Sequence, residues 1–176
     1  VSVPLSNNFN DVVAMDLIVM SQGTYIVHLI DLFTRYSMAC VRKTKRQDCI
    51  TDAIMKIWIK YFGSPRKFLA DNGGEFANAG YTDMCESFNI EIMKTAAESP
   101  WSNGTCERHN AVIKMSVLKI MEDTKCSIDT AVAWAISAKN SLHGHHGYSP
   151  NTLVFGRNPN FPSVFTNKLP AMSAEE

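Results

Sequence analysis

The sequence predicts an α/β domain: a five-stranded mixed sheet flanked by helices. Three observations carry that expectation. Three strand-type runs, at 12–20, 25–32 and 37–42, follow one another across short connections, which reads as an antiparallel meander. Helical and strand patterns then alternate: a helix at 47–62, a strand at 67–70, a helix at 75–88, a strand at 90–93, and two final helices. With 176 residues, 45% of them hydrophobic, the chain is long enough to bury one sizeable core.

Each element has its own reason. The run VVAMDLIVM is apolar and β-branched, with Asp16 at its middle. A Ser-Gln-Gly turn leads to YIVHLIDL, where Asp31 is an alternative acidic ligand. FTRY follows, so Asp31 reads better as structural, with Arg35 as its partner. In 47–62, Ile50, Ala53, Ile54, Ile57, Trp58 and Tyr61 recur at helical spacing, and Gly63-Ser64-Pro65 stops the helix. The short run 67–70 is expected to be buried beside the first strand. Residues 94–103 show no period and read as a mobile loop. Ser102 and Asn103 are good helix caps, Gly104 breaks the chain, and a helix is expected from Thr105 to about Glu122. Glu107 then falls on its first or second turn, and Asn110, Lys114, Leu118 and Met121 share one face. His109, Ile113, Val117 and Ile120 form another. Ser127 caps the last long helix, with Ile128, Ala131, Ala135, Ala138 and Leu142 aligned. Beyond Gly147, Pro and Asn recur, and AMSAEE is expected to be disordered.

Composition narrows the function classes. No apolar run approaches the roughly 18 residues of a membrane span; Asp31 interrupts YIVHLIDLF. Five scattered cysteines form no CxxC pair, which suits reduced thiols in the cytosol or nucleus. His143, His145 and His146 have no cysteine beside them and read as a polar helix end rather than a zinc site. Net charge is zero, with 17 basic and 17 acidic residues, so the chain lacks the basic excess usual in an unaided DNA binder. From Arg42 to Lys67, however, eight Lys or Arg oppose Asp48 and Asp52. That segment suits either phosphates or a solvated helix face.

Three acids stand in matching contexts. Asp16 lies inside a strand, Asp71 where KFLA meets NGGEF, and Glu107 at a helix start. Thirty-five residues separate Asp71 from Glu107. Three carboxylates gathered by a fold repel one another unless cations sit among them. Asp16, then LADNGGEF, then ESPWSNGTCERHN, resembles the catalytic core of retroviral and retrotransposon integrases, with its D,D-35-E signature. The later GYSPNTLVFGRNP resembles the segment that follows the core in gypsy-type retrotransposon integrases. The likeness spans about residues 10–162. Each piece alone is weak; all in order, at the family spacing, are specific.

The resemblance implies a ribonuclease H-like fold and a metal-dependent polynucleotidyl transferase with endonuclease activity. Such an enzyme would process DNA 3′ ends and transfer strands into target DNA. Asp16, Asp71 and Glu107 would be both catalytic and metal-binding, with two Mg²⁺ (or Mn²⁺) ions in the active complex, since hard oxygen ligands select such ions. Lys114, Asn110, Ser102, Asn103 and Asn72 are the expected DNA-side residues, and Trp101 is either core or a stacking surface. The partners implied are DNA (element end and target) and further copies of the chain, as a homodimer or higher oligomer through helices 47–62 and 127–142. No membrane is involved. The place of action would be nuclear, after a cytoplasmic stage. Without DNA, at most one ion is expected, at the aspartate pair, because Glu107 would hang on a mobile loop. The layout would be an extension at 1–9, the catalytic core at 10–146 and a partly disordered extension at 147–176. The chain reads as a segment of a longer polyprotein, without the family's separate N-terminal zinc-binding domain. An alternative is a domesticated integrase-like module that binds DNA or protein without catalysis; an intact acid set argues against it. A ribonuclease H shares the fold and metals, but SPWSNG and ERHN argue against that.

Overall fold

A computed structural model describes residues 6–160 apart from 22, 71–78, 95–99, 143 and 145–146; for 47, 94 and 100–105 it describes the backbone alone. The strands are β1 (Val12–Ser21), β2 (Thr24–Asp31), β3 (Ser37–Arg42), β4 (Lys67–Ala70) and β5 (Glu91–Lys94). They form one sheet in the order β3-β2-β1-β4-β5. β1 pairs antiparallel with β2, and β2 with β3, as the short turns require. β1 pairs parallel with β4, and β4 with β5, across helical crossovers. The mixed sheet and its central β1 match the sequence expectation.

Helix α1 consists of α-helical Gln47–Ile54, a π-helical stretch Met55–Ile59 and a last turn Lys60–Phe62. The Lys60 N–H reaches the Met55 carbonyl, five residues back, which marks the π turn. Gly63 closes it at φ 75°, a left-handed value that favours glycine. Helix α2 is Ala79–Ser87. These two cover one face of the sheet, packing Ile50, Ile54, Trp58, Tyr81, Met84 and Cys85 against Val13, Met15, Leu29 and Phe68. Asn10 ties this layer to the start of β1. Its Oδ1 accepts from Trp58 Nε1 at 2.8 Å and its Nδ2 donates to the Phe62 carbonyl at 3.0 Å.

Helices α3 (Pro100–Thr124) and α4 (Ile128–Ser141) cover the other face. Ile113, Val117, Ala131, Val132, Ala135 and Ile136 pack there against Ile18, Ile26 and Val41. Burying one such branched aliphatic side chain contributes about 1.5–3 kcal/mol. Ser127 caps α4, as expected, accepting from the Thr130 N–H.

The structure corrects several expectations. Helix α3 starts at Pro100, not Thr105, so Ser102, Asn103 and Gly104 lie inside a helix rather than in a loop or cap. Proline suits a first turn, where its missing N–H costs nothing and its φ is already helical. Of the expected loop at 94–103, Lys94 ends β5 and 100–103 are helical; 95–99 lie outside the described residues. The buried face of α4 runs through Val132, Ile136 and Asn140 beside Ala131 and Ala135, while Leu142 is exposed. Beyond Gly147 the chain forms a further helix, α5 (Pro150–Phe155), capped by Ser149, whose Phe155 ring meets Tyr36 at 5.6 Å. The 161–176 tail and the three histidines lie outside the described residues.

Candidate active site

Asp16 sits mid-strand on β1, the central strand, half-buried on the face that α3 covers. Side chains alternate along a strand, so Asp16 shares its face with Ala14 and Ile18 and opens under the helix rather than into the α1 layer. One carboxylate oxygen accepts from the Leu17 N–H at 2.7 Å; the other accepts from Asn110 Nδ2 at 2.5 Å.

Burial of Cys106, Ile113 and Val117 fixes the rotation of α3 on the sheet. That rotation aims Asn110 at Asp16. Glu107 lies nearly one turn earlier and Lys114 one turn later, and both are exposed on the same side. Glu107 is two full turns inside α3, not at a fraying start, because the helix begins at Pro100. Cys106, next to Glu107 in the chain, packs under the helix within hydrogen-bond reach of Asn110. Burial pushes its thiol up to about 12, and the charges of Asp16 and Glu107 push the same way. A thiol so buried stays protonated at neutral pH.

Asp71 and Asn72 lie outside the described residues. The strand that leads to them is in place: Ala70, the last residue of β4, pairs with Met15, immediately before Asp16. Ser102 and Asn103 lie on the first turns of α3, with only their backbone described. Trp101 lies there too. Among the described residues no three His, Cys, Asp or Glu side chains form a metal-holding group. The described donors at the site, the Asp16 and Glu107 carboxylates, are hard oxygens of the kind that suits Mg²⁺ or Mn²⁺.

Three residues at this site were not singled out from sequence. His28 is fully buried on β2, directly opposite Asp16 in the register. Its Nδ1 lies 2.7 Å from Asn110 Oδ1 and its Nε2 lies 2.9 Å from Ser37 Oγ. Burial pushes the imidazole down to about 3, so it is neutral at physiological pH. Asn140 of α4 then clamps Ser37, accepting from its N–H at 2.9 Å and donating to its carbonyl at 2.8 Å. The one signal in the sequence was a polar residue inside the apolar run YIVHLI, in step with no charge pattern.

Other candidates take structural places. Asp31 is fully buried and closes the β2–β3 turn. Its Oδ2 accepts from the Thr34 N–H and hydroxyl at 2.6 and 2.7 Å, and its Oδ1 from the Asn10 N–H at 3.0 Å. Those donors, rather than the expected Arg35, satisfy the carboxylate. Burial still holds its pKa above the usual carboxylate value. In the basic segment Arg42 and Lys56 pair with Asp52, Arg46 with Asp48, Arg66 with Asp11 and Lys67 with Glu91. Five of its eight basic side chains thereby pair with surface carboxylates, which favours the solvated-face reading. A cavity of about 460 Å³ between α3 and α4 is lined by Arg35, Arg108, His109 and Lys139 and by apolar side chains.

Comparison with known proteins agrees with this fold. The family model described as "Integrase core domain" matches residues 7–100, more than half of the chain. The Pol polyprotein from transposon 412 of Drosophila melanogaster is 29% identical over 146 residues, covering 82% of this chain and 12% of that protein. The Gag-Pol polyprotein of avian reticuloendotheliosis virus is 25% identical over 150 residues, covering 85% of this chain and 13% of that one. The chain thus spans about an eighth of these relatives. Among solved structures, the magnesium-bound dimeric form of the HTLV-2 integrase catalytic core superposes with a TM-score of 0.73 at 20% identity, covering 85% of this chain and 99% of that one. A simian T-cell lymphotropic virus intasome in complex with a PP2A regulatory subunit gives 0.78 at 21%, covering 92% and 60%. These likenesses establish the ribonuclease H-like fold, and with the family match over residues 7–100 the chain belongs to the integrase core domain family.

Proposed function

We propose that this domain catalyses integrase-type phosphodiester chemistry: 3′-end processing of an element's DNA and transfer of that end into target DNA. The observation that carries it is the 2.5 Å bond from Asn110 to Asp16, which lays the helix of Glu107 across the strand of Asp16. Asp16, Asp71 and Glu107 are the residues that would hold two Mg²⁺ or Mn²⁺ ions. Bound there, such a pair activates the attacking oxygen and stabilises the leaving one.

The chain's own work is to place the groups. Asp16 is immobilised by the sheet and by two donated hydrogen bonds. Glu107 is carried by a helix whose buried face cannot rotate without unpacking Ile113 and Val117. Lys114, exposed one turn beyond Asn110, would neutralise a DNA phosphate beside the site. Ser102, Asn103 and Asn72 would approach the scissile region. No side chain need serve as nucleophile: water attacks in end processing and a DNA 3′-hydroxyl in strand transfer.

Asp16→Asn, Asp71→Asn and Glu107→Gln keep side-chain volume and remove one ligand charge each. Each is expected to abolish Mg²⁺-dependent cleavage and joining of an element-end duplex while the domain stays folded, since lost carboxylate repulsion does not destabilise it. Normal joining by any one of them would defeat the assignment. A wild-type domain that binds DNA but never cuts it would instead favour a non-catalytic module.

A further inference from the structure

We propose that His28 is a positioning residue for Asp16, acting through Asn110 at the end of a one-directional hydrogen-bond chain that starts at Ser37. The inference rests on the catalytic reading of Asp16 given above.

The direction of the chain follows from what each atom can do. A carboxylate oxygen only accepts, so the Asn110 atom 2.5 Å from Asp16 must be the amide nitrogen. The Asn110 oxygen therefore faces His28 Nδ1 at 2.7 Å. Two lone pairs at that distance would repel, so Nδ1 carries the proton. Burial keeps the ring neutral, so Nε2 is bare and must accept. Its partner at 2.9 Å is the Ser37 hydroxyl, which donates. Every donor thus points toward Asp16: Ser37 to His28, His28 to Asn110, Asn110 to the carboxylate. Asn140 grips both backbone polar groups of Ser37, so the far end of the chain is anchored to α4.

The sheet explains why this is a positioning device and not only a satisfied core histidine. Asp16 and His28 are direct cross-strand neighbours, with Cβ atoms roughly 5 Å apart by strand geometry. The amide of Asn110 comes between them from α3, held on one side by each. Asn110 and Glu107 stand three residues apart on that helix. His28 therefore holds Asp16 through the Asn110 amide, and adds a polar tie to the packing of Ile113 and Val117 that sets the helix rotation for Glu107. A hydrophobic residue in its place would leave the Asn110 oxygen unpaired, and the amide would be free to turn away from Asp16. Outer groups that orient metal-binding residues commonly change metal affinity by 10–100-fold when lost.

The test titrates Mn²⁺ and Mg²⁺ into the 176-residue chain by calorimetry, alongside the metal dependence of strand joining. His28→Val should weaken apparent metal affinity about tenfold or more. Raised metal should restore much of the joining rate, as expected if ligand placement rather than chemistry is lost. His28→Gln keeps a donor toward Asn110 and should recover most of that affinity. Ser37→Ala, a small change far from the carboxylate, frees the tautomer and should weaken binding in the same direction by a smaller factor. It serves where His28→Val does not fold. A purely structural role would lower the melting temperature without moving metal affinity. Wild-type affinity in Ser37→Ala and in folded His28→Val overturns the inference while leaving the function reading intact. A wild-type chain that neither binds Mn²⁺ nor joins DNA overturns both.

Discussion

Lys139 shows how strongly one residue's surroundings can set a charge. Its Nζ donates to the Arg35 carbonyl at 2.8 Å on the wall of the α3–α4 cavity. Burial pushes its pKa down to about 7, and the Arg35 charge pushes the same way. Unfolded, it would hold its proton up to about 10.5. Lowered folded values mean that stability is highest above the unfolded value and declines as pH falls from about 10.5 to about 7, then stays flat. Lys139→Met removes that penalty and loses one hydrogen bond of about 1 kcal/mol. In urea titrations the variant should be slightly the less stable near pH 11 and clearly the more stable at pH 7. A pH-independent difference would show that burial does not act on this ammonium. His109 and His28, lowered to about 4 and about 3, follow the same rule: their contribution is lost as pH falls from 6.5 through those values. Residue roles were unevenly legible for a related reason. The acids announce themselves by order and spacing along the chain. His28 and Asn140 do not, because their partners lie 82 and 103 residues away and only strand register brings them together.

Among the elements, the edge strand β3 depends most on a single side chain. Asn140 is 4% exposed and makes both of its bonds to the Ser37 backbone. Asn140→Ala would leave a buried N–H and a buried carbonyl unpaired on that edge. The expected cost is about 2–4 kcal/mol, from two orphaned groups at about 1–2 kcal/mol each. Amide exchange along β3 should accelerate more than exchange along β1; a uniform change would mean global unfolding rather than edge loosening. The strands were legible because apolar runs bounded by turns leave little choice. The start of α3 was not: Ser102, Asn103 and Gly104 are individually poor in helix interiors, and Gly104 costs about 1 kcal/mol relative to alanine. Packing by the twenty residues that follow outweighs that local preference. The α4 stripe held at Ala131 and Ala135 but not at Ala138 and Leu142, because the buried face continues through Ile136 and the polar Asn140.

Large apolar side chains stay exposed on the two helices that pack beside β3. Helix α4 packs beside β3 on one face of the sheet, and the π turn of α1 reaches β3 on the other. Trp134 of α4 is 47% exposed and Tyr61 of α1 is 61% exposed. Among the described residues no helix is long and apolar enough to cross a membrane. The connectivity that creates the β3 edge was legible, since a meander followed by helix–strand alternation forces β3 to one edge and β5 to the other. Whether that edge is covered was not, because a chain's own pattern does not distinguish a helix that only roofs its sheet from one that also meets a second copy. Specific interfaces bury roughly 800 Å² per partner, more than one tryptophan supplies, so a dimer must engage both helices together. We expect two copies of the 19.6 kDa chain to associate through α1 and α4 around this edge, giving twice that mass by light scattering. Trp134→Glu places a charge in the contact and should return the protein to monomer without lowering its melting temperature, since the side chain is half exposed in the single copy. A monomeric wild type at high concentration would mean that both helices serve only their own sheet.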